Sequence, residues 1–287
     1  MSSPRLLLCT DLDRTLLPNG PQPESPQART LFSRLITHER VTLVYVTGRH
    51  QELVEEAIRS WRIPVPDFVI TDVGTRILHV ENGCWQEQEA WERRIRADWD
   101  GKTPQDLHEA LKDLGDLRLQ EAEKQNRYKL SYYVPLEADS GKLEAVIRPR
   151  LTEAGIKATL VWSIDEPAAT GLLDILPAAA GKLEAIHFLM QQRGYRLDET
   201  LFAGDSGNDL EVLCSDLPAV LVANAMPEVR EKALAAAEKA GTLDALYLAA
   251  GSFMDMNGNY AAGIIEGVIH YRPELKNWLK QTPQEFP

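Results

Sequence analysis

Residues 6–17 read Leu6-Leu7-Leu8-Cys9-Thr10-Asp11-Leu12-Asp13-Arg14-Thr15-Leu16-Leu17. The first five are apolar or small and predict a buried strand, and the carboxylates that follow would lie in the turn at its carboxyl end. In an open parallel sheet, ligands bind at that edge. We therefore expect Asp11 and Asp13 to face a crevice instead of the core.

The two carboxylates are separated by one residue and would repel each other. A bound divalent cation would let both stay charged, and Mg²⁺ prefers oxygen ligands of this kind. The alternative is a turn or helix-capping pair, because aspartate is common in turns. Taken alone, the pair favours this alternative. Three further segments of the sequence favour the cation site instead.

These three segments place polar residues after a strand or before a helix. Val44-Tyr45-Val46 is followed by Thr47-Gly48-Arg49, Lys182 precedes a predicted helix, and residues 201–203 are followed by Gly204-Asp205-Ser206-Gly207-Asn208-Asp209. Together with residues 11–15, they resemble motifs I to IV of the haloacid dehalogenase (HAD) superfamily, in the order that this superfamily uses. The family commonly has glycine after the motif III lysine, whereas here Gly181 precedes Lys182.

The resemblance implies a phosphatase that forms an aspartyl-phosphate. Asp11 would attack phosphorus, and Asp13 would protonate the leaving sugar oxygen and then deprotonate water. The resemblance also implies a cofactor, Mg²⁺, held by Asp11, Asp205 and the backbone carbonyl of Asp13, with Asp209 in its outer shell or on a metal-bound water. The phosphate would be held by Thr47, Gly48, Lys182 and Asn208.

Composition places the chain among ordinary globular proteins, with 287 residues, 44% hydrophobic and 26% charged. The formal charge of −12 argues against nucleic acid or an anionic membrane as a partner. No segment approaches the roughly 18 apolar residues that a spanning helix needs, and no signal peptide is evident. The three cysteines form no disulfide or zinc pattern, which favours a reducing cytoplasm.

Strand and helix patterns alternate up to residue 75 and again from residue 181, which predicts right-handed βαβ units and a parallel sheet. The stretch in between differs, with helices predicted at 85–99 and 104–114, strands at 117–119 and 128–134, and a helix at 143–148 stopped by Pro149. Strands follow at 159–162 and 172–176, the last leading back to the core. We therefore predict an α/β fold: a Rossmann-like parallel-sheet core with helices on both faces (1–81 and 166–287) and an inserted α+β cap (82–165).

The place of this insertion indicates the cap type. Only 31 residues (16–46) separate motif I from Thr47, whereas 107 residues (75–181) separate Gly74 from Lys182. In the superfamily that these motifs resemble, a cap is inserted either between motifs I and II or between motifs II and III. An insertion between motifs II and III resembles the type IIB caps of sugar-phosphate phosphatases. It argues against the phosphomutases, whose cap lies between motifs I and II.

Four segments resemble the sucrose-phosphate phosphatase group: residues 66–75, 128–132, 173–177 and 261–267. The resemblance implies a disaccharide phosphate such as sucrose 6-phosphate as the small-molecule substrate. It leaves mannosylfructose phosphate open, and also a catalytically silent partner domain of a glycosyltransferase (synthase). The candidate sugar contacts are Asp72, Thr75, Asn126, Lys129 and Tyr132. For a tyrosine on an amphipathic strand, simple packing is an equal alternative; the helical spacing of Trp91, Ile95 and Trp99 favours packing over sugar stacking.

Overall fold

The computed structural model describes residues 5–165 and 168–280. It divides into two compact units. Unit one comprises Met1–Val46, Glu52–Phe68 and Met190–Pro287, and unit two comprises Thr47–Gln51 and Val69–Leu189. Within the described ranges, every helix is too short or too polar to cross a membrane.

The strands of the described residues are β1 (Leu6–Thr10), β2 (Val41–Val46), β3 (Phe68–Thr71), β4 (Arg76–Glu81), β5 (Cys84–Glu87), β6 (Arg118–Leu119), β7 (Leu130–Val134), β8 (Ala158–Asp165), β9 (Thr170–Pro177), β10 (Thr200–Gly204), β11 (Ala219–Leu221) and β12 (Leu246–Leu248). The α-helices are α1 (Ala28–Ile36), α2 (Gln51–Trp61), α3 (Glu89–Ile95), α4 (Pro104–Leu111), α5 (Ser140–Glu153), α6 (Lys182–Arg193), α7 (Leu210–Leu213), α8 (Pro227–Ala240), α9 (Ala261–Tyr271) and α10 (Leu275–Lys280).

Unit one is built on five parallel strands in the order β12-β11-β10-β1-β2. Every residue of β1 is buried, as its continuous apolar sequence predicts. Thr10 lies opposite Ala203 of β10, so the chain segments that follow β1 and β10 leave the sheet side by side. Helix α9 packs against α1, α10 and β11, while α7 packs against α8 and β10. The predicted α/β fold with a parallel sheet is confirmed.

Unit two holds the neighbouring strands β3, β4 and β5 and a second, antiparallel sheet in the order β6-β7-β9-β8. Helices α4 and α5 pack against each other, and they also contact β7 and β8 respectively. Strand β9 pairs with β7 on one side and with β8 on the other. The strand predicted to lead back to the core is therefore also a central strand of this sheet.

The helix predicted over 85–99 is wrong in its first part, because Trp85 lies in β5. Strands β4 and β5 form a hairpin whose turn is Asn82-Gly83, with φ of 51° and 78°. An Asn-Gly pair with positive φ at both positions is the preferred two-residue hairpin turn. Helix α3 begins only at Glu89. Trp91, Ile95 and Trp99 are at most 1% exposed, so their predicted packing role is confirmed.

The predicted helix stop at Pro149 is also wrong, because α5 continues through it to Glu153. Ile147 and Leu151 are buried on either side of the proline. Their burial favours helix on both sides, which offsets the one backbone hydrogen bond that proline cannot donate. The side chain of Asp139 accepts the Lys142 N–H and caps the first turn.

Glu266 of α9 stabilises the loop after β12, although it is only 3% exposed. Its Oε1 accepts hydrogen bonds from Tyr247, Ala250 and Ser252 at 2.8–3.0 Å, and its Oε2 accepts one from the Gly251 N–H at 2.8 Å. Burial opposes the charged form, but these four hydrogen bonds outweigh it and hold the pKa of Glu266 below its usual value.

We expect Glu266→Ala to lower the free energy of unfolding by about 2–4 kcal/mol, because four donors lose a charged acceptor. Glu266→Gln retains Oε1 and should cost less. Because the pKa of Glu266 is lower in the folded protein than in the unfolded chain, the charged carboxylate stabilises the fold at any pH above its unfolded-state pKa. This stabilisation is lost as the pH falls through the folded-state pKa. Urea titrations should therefore show the gap between wild type and Glu266→Gln narrowing as the pH falls below 4.5. A gap that stays constant with pH would contradict this account.

Candidate active site

Three buried carboxylates meet beyond the carboxyl ends of β1 and β10. Asp11 is 5% exposed, Asp205 3% and Asp209 0%. One carboxylate oxygen from each lies within 4.8 Å of the others. Asp11 follows β1 directly and its N–H donates to the carbonyl of Ala203 at 2.9 Å, so the pairing of the two strands brings the carboxylates together.

Local hydrogen bonds fix two members of this triad. The Asp209 Oδ2 accepts the N–H groups of Asp205 and Ser206 at 3.1 and 3.0 Å. The Asp205 Oδ1 accepts the Thr15 hydroxyl at 2.9 Å, and its Oδ2 lies 3.8 Å from the Arg14 Nε. The motif I turn therefore contacts the motif IV loop through side chains as well as through the sheet.

The donor set fits a divalent cation. Three carboxylates removed from water and placed close together repel one another, and burying uncompensated charge is costly. A hard cation with oxygen ligands removes both penalties. The three aspartates whose side chains the sequence predicted at the metal site, Asp11, Asp205 and Asp209, are thus brought together in unit one.

Asp13 and Asn208 lie on the same two loops. Asp13 is partly exposed, and its Oδ1 accepts a hydrogen bond from the Asn19 Nδ2 at 2.7 Å. Asn208 uses its Oδ1 to accept the Ser206 hydroxyl at 3.1 Å. Asn19 was not identified from the sequence, because nothing in the proline-rich stretch around it indicates which carboxylate it would reach.

The other candidate phosphate ligands belong to unit two. Thr47 and Lys182 are each 1% exposed. The Thr47 N–H donates to the Ile70 carbonyl at 2.8 Å, and the Thr47 carbonyl accepts the Val73 N–H at 3.1 Å. The Asp72 N–H donates to the Arg49 carbonyl at 3.0 Å. The turn after β3 thus holds the loop that carries Thr47 and Gly48.

This turn, Asp72–Gly74, has an unusual backbone. Its three residues have φ of 53°, 59° and 95°, and a positive φ is strained for the β-branched Val73. A Cβ at position 74 would lie 2.3 Å from the Gly181 carbonyl carbon and 2.8 Å from the Lys182 nitrogen. Only glycine fits here, so the same turn supports both the Thr47 loop and the start of α6.

Four of the five candidate sugar contacts gather beside this turn. Asp72 is 2% exposed, and its Oδ1 lies 3.7 Å from the Nζ of Lys129, itself 5% exposed. The Asp72 Oδ2 is buried and accepts no hydrogen bond from any described residue. The Asn126 Nδ2 donates to the Thr75 Oγ1 at 3.0 Å.

Tyr132, the fifth candidate, has a different hydrogen-bond partner. Its hydroxyl is 2.9 Å from the His108 Nδ1, and burial raises the pKa of Tyr132. The sequence Gly-Lys-Leu-Glu-Ala occurs twice, at 141–145 and 181–185. Lys142 of the first copy is exposed and pairs with Asp139. It is a surface residue, whereas Lys182 of the second copy is buried.

A family model described as sucrose-6F-phosphate phosphohydrolase matches residues 4–272. A HAD-like hydrolase of Nitrosococcus oceani is 50% identical over 281 residues, which cover 98% of this chain and 76% of that protein. The mannosylfructose-phosphate phosphatase of Agrobacterium fabrum is 29% identical over 93% of this chain and 97% of its own. Sucrose-phosphatase 1 of Nicotiana tabacum is also 29% identical over 94% of this chain, which spans only 60% of the tobacco protein.

Among solved structures, the sucrose-phosphatase of Synechocystis in complex with sucrose and phosphate matches with a TM-score of 0.76. The two sequences are 25% identical, and the match covers 94% of this chain and 98% of the other. The resemblance to HAD sugar phosphatases that the motifs predicted is confirmed. The chain belongs to the sucrose-6F-phosphate phosphohydrolase family of phosphoric monoester hydrolases in the HAD superfamily.

Proposed function

We propose that this chain is a Mg²⁺-dependent sugar-phosphate phosphatase that acts on a sucrose-type disaccharide phosphate. The observation that carries the proposal is the buried triad of Asp11, Asp205 and Asp209 at the ends of β1 and β10. Phosphate monoesters hydrolyse extremely slowly in water, and catalysis requires in-line positioning and neutralisation of charge. A buried carboxylate nucleophile beside two further carboxylates suits that task once a cation is bound.

In this proposal, Asp11 attacks phosphorus and forms an aspartyl-phosphate, which divides one difficult reaction into two easier ones. Asp13 gives a proton to the leaving sugar oxygen and later takes one from the water that cleaves the intermediate. Its partial exposure and its distance of two residues from the nucleophile suit a group that exchanges protons with solvent.

The remaining residues would hold the ion and the phosphate. Bound Mg²⁺ would neutralise charge on the transferring phosphoryl group. The side chains of Asp11 and Asp205 and the backbone carbonyl of Asp13 would be its ligands, with Asp209 in the outer shell or on a metal-bound water. The phosphoryl oxygens would be held by Thr47, Gly48, Lys182 and Asn208, with the lysine supplying the positive charge.

We place substrate choice in the cap, residues 82–165, with the core formed by 1–81 and 166–287. Lys129, Asn126, Asp72 and Thr75 would contact sugar hydroxyls, and the unpaired Asp72 Oδ2 supports this role because a buried acceptor needs a donor. The match to a sucrose-phosphatase bound to sucrose and phosphate supports sucrose 6-phosphate. The mannosylfructose-phosphate phosphatase, matched over nearly its whole length, supports mannosylfructose phosphate as the second candidate.

Phosphate release with Mg²⁺ from sucrose 6-phosphate, mannosylfructose phosphate, trehalose 6-phosphate, fructose 6-phosphate and glucose 6-phosphate tests this function. We expect a preference of about a hundredfold in kcat/KM for one disaccharide phosphate. Slow and equal turnover of all five would refute the disaccharide assignment and leave the phosphatase chemistry standing. No turnover of any phosphate ester would favour the silent partner domain of a glycosyltransferase.

Metal binding is tested by thermal unfolding with added Mg²⁺. A ligand that binds only the folded state at 100 times its Kd stabilises it by about 2.7 kcal/mol. We therefore expect saturating Mg²⁺ to raise Tm by several degrees, and orthovanadate to raise it further. Asp205→Asn should abolish the Mg²⁺ shift, whereas Asp198→Asn, an exposed aspartate of the same unit, should retain it. A shift that survives Asp205→Asn would place the ion elsewhere.

A further inference from the structure

We infer that Asn19 is a positioning residue for Asp13, holding the carboxylate in the orientation that proton transfer requires. The inference rests on the proposed role of Asp13 as acid and base. Asn19 lies in the proline-rich loop after motif I, and its amide contacts the one carboxylate of the motif that lies outside the buried triad.

The amide of Asn19 is engaged at both ends, which fixes its orientation. Its Nδ2 donates to the Asp13 Oδ1 at 2.7 Å, and its Oδ1 accepts the backbone N–H of Arg14 at 2.8 Å. A hydrogen bond to a carboxylate is short and strong compared with one between neutral groups. Asn19 therefore connects the Asp13 side chain to the backbone of the next residue.

That backbone needs such support, because Arg14 has φ of 58°. A left-handed conformation is strained for a non-glycine residue, because its Cβ approaches the following carbonyl oxygen. Side-chain amides hold the residue on both sides: Asn19 accepts its N–H, and the Asn224 Nδ2 donates to its carbonyl at 2.6 Å. Asn224 in turn accepts the Tyr260 N–H at 2.8 Å, which ties the turn to the start of α9.

The consequence for chemistry is a carboxylate held in one orientation. The hydrogen bond from Asn19 fixes Oδ1 of Asp13 as an acceptor and thereby limits rotation of the side chain. A fixed carboxylate removes the search over side-chain rotamers at each proton transfer, and small errors in such positioning are costly to rate.

Asn19→Ala tests this with two substrates that differ in leaving group. With sucrose 6-phosphate, or the best substrate of the panel, we expect kcat to fall by about tenfold to a hundredfold, while KM changes less than about threefold. With 4-nitrophenyl phosphate, whose leaving group needs no protonation, the pre-steady-state burst of nitrophenol should slow by less than about threefold. A merely structural defect would slow release from both substrates alike.

Two further variants make the result decisive. Asn257 forms hydrogen bonds with Pro23 and Ser25 of the same loop without contacting Asp13. Any loss of rate in Asn257→Ala should therefore be the same for both substrates. Asp13→Asn should show the same dependence as Asn19→Ala, only larger. The inference would be overturned if Asn19→Ala slowed the reaction of both substrates by the same factor. It would also be overturned if Asn257→Ala slowed the sugar phosphate more than 4-nitrophenyl phosphate. If Asp13→Asn itself lacks the effect, the proposed acid role fails.

Discussion

Asp11→Asn is expected to abolish turnover while the protein remains folded. The amide has nearly the same shape as the carboxylate but cannot attack phosphorus, so kcat should fall by more than about 10⁴-fold, as it does when other covalent nucleophiles are removed. The change also takes one charge out of a buried cluster of three, so Tm without metal should stay the same or rise. Steady-state phosphate release and thermal unfolding of the same preparation measure both effects.

Asp198→Asn is a suitable control for Asp11→Asn, because it makes the same chemical change at an exposed position of the same unit. It should leave kcat unaltered and lower stability by less than about 1 kcal/mol. Measurable turnover by Asp11→Asn that is free of deamidation back to aspartate would remove Asp11 as the nucleophile. A large loss of Tm would mean that the carboxylate is needed for folding.

Gly74→Ala is expected to have the largest effect on stability. The new methyl group would lie 2.3 Å from the Gly181 carbonyl carbon, and φ at this position is 95°. Overpacking against rigid backbone and a left-handed conformation together should cost about 2–5 kcal/mol. Because this turn supports both the Thr47 loop and the start of α6, any protein that does fold should also have a raised KM for the phosphate ester.

The chain offers a matched control at Gly83, which has φ of 78° but nothing within 4 Å of a new Cβ. Gly83→Ala introduces only the strain of a positive φ at alanine, which should lower the free energy of unfolding by about 1 kcal/mol. It should leave KM unchanged. The difference between the two variants in urea-induced unfolding isolates the contact with Gly181. Equal losses of stability would show that this contact does not matter.

The carboxylate side of the site could be predicted from the sequence because it depends on local patterns. An apolar strand followed by acidic residues occurs twice, at residues 6–13 and 201–209, and parallel pairing brings the two ends together. The hairpin at Asn82-Gly83 was equally local, and the turn signal was present in the sequence. The helical spacing of the tryptophans that follow it concealed the strand containing Trp85.

Other features could not be obtained from local patterns. The approach of Gly74 to Gly181 joins positions more than a hundred residues apart, and neither glycine carries a side chain that would indicate a partner. The contact of Asn224 with the Arg14 carbonyl likewise depends on the tertiary fold. Helix α5 continues through Pro149, and the burial of Ile147 and Leu151 that favours this depends on the tertiary fold, which a local helix-breaking rule does not include.

The side chain of Trp91 gives the Asp72–Gly74 turn an intrinsic optical signal. Its indole N–H donates to the Gly74 carbonyl at 3.1 Å, and the ring packs against Phe188 with centroids 5.2 Å apart. Since the indole is buried and hydrogen-bonded to the turn itself, its emission depends on whether that carbonyl stays in place. Lys182, the proposed phosphate ligand, adjoins this turn, so we expect a phosphate ester to change the fluorescence of the unlabelled protein. Trp91→Phe is the blank for the other five tryptophans.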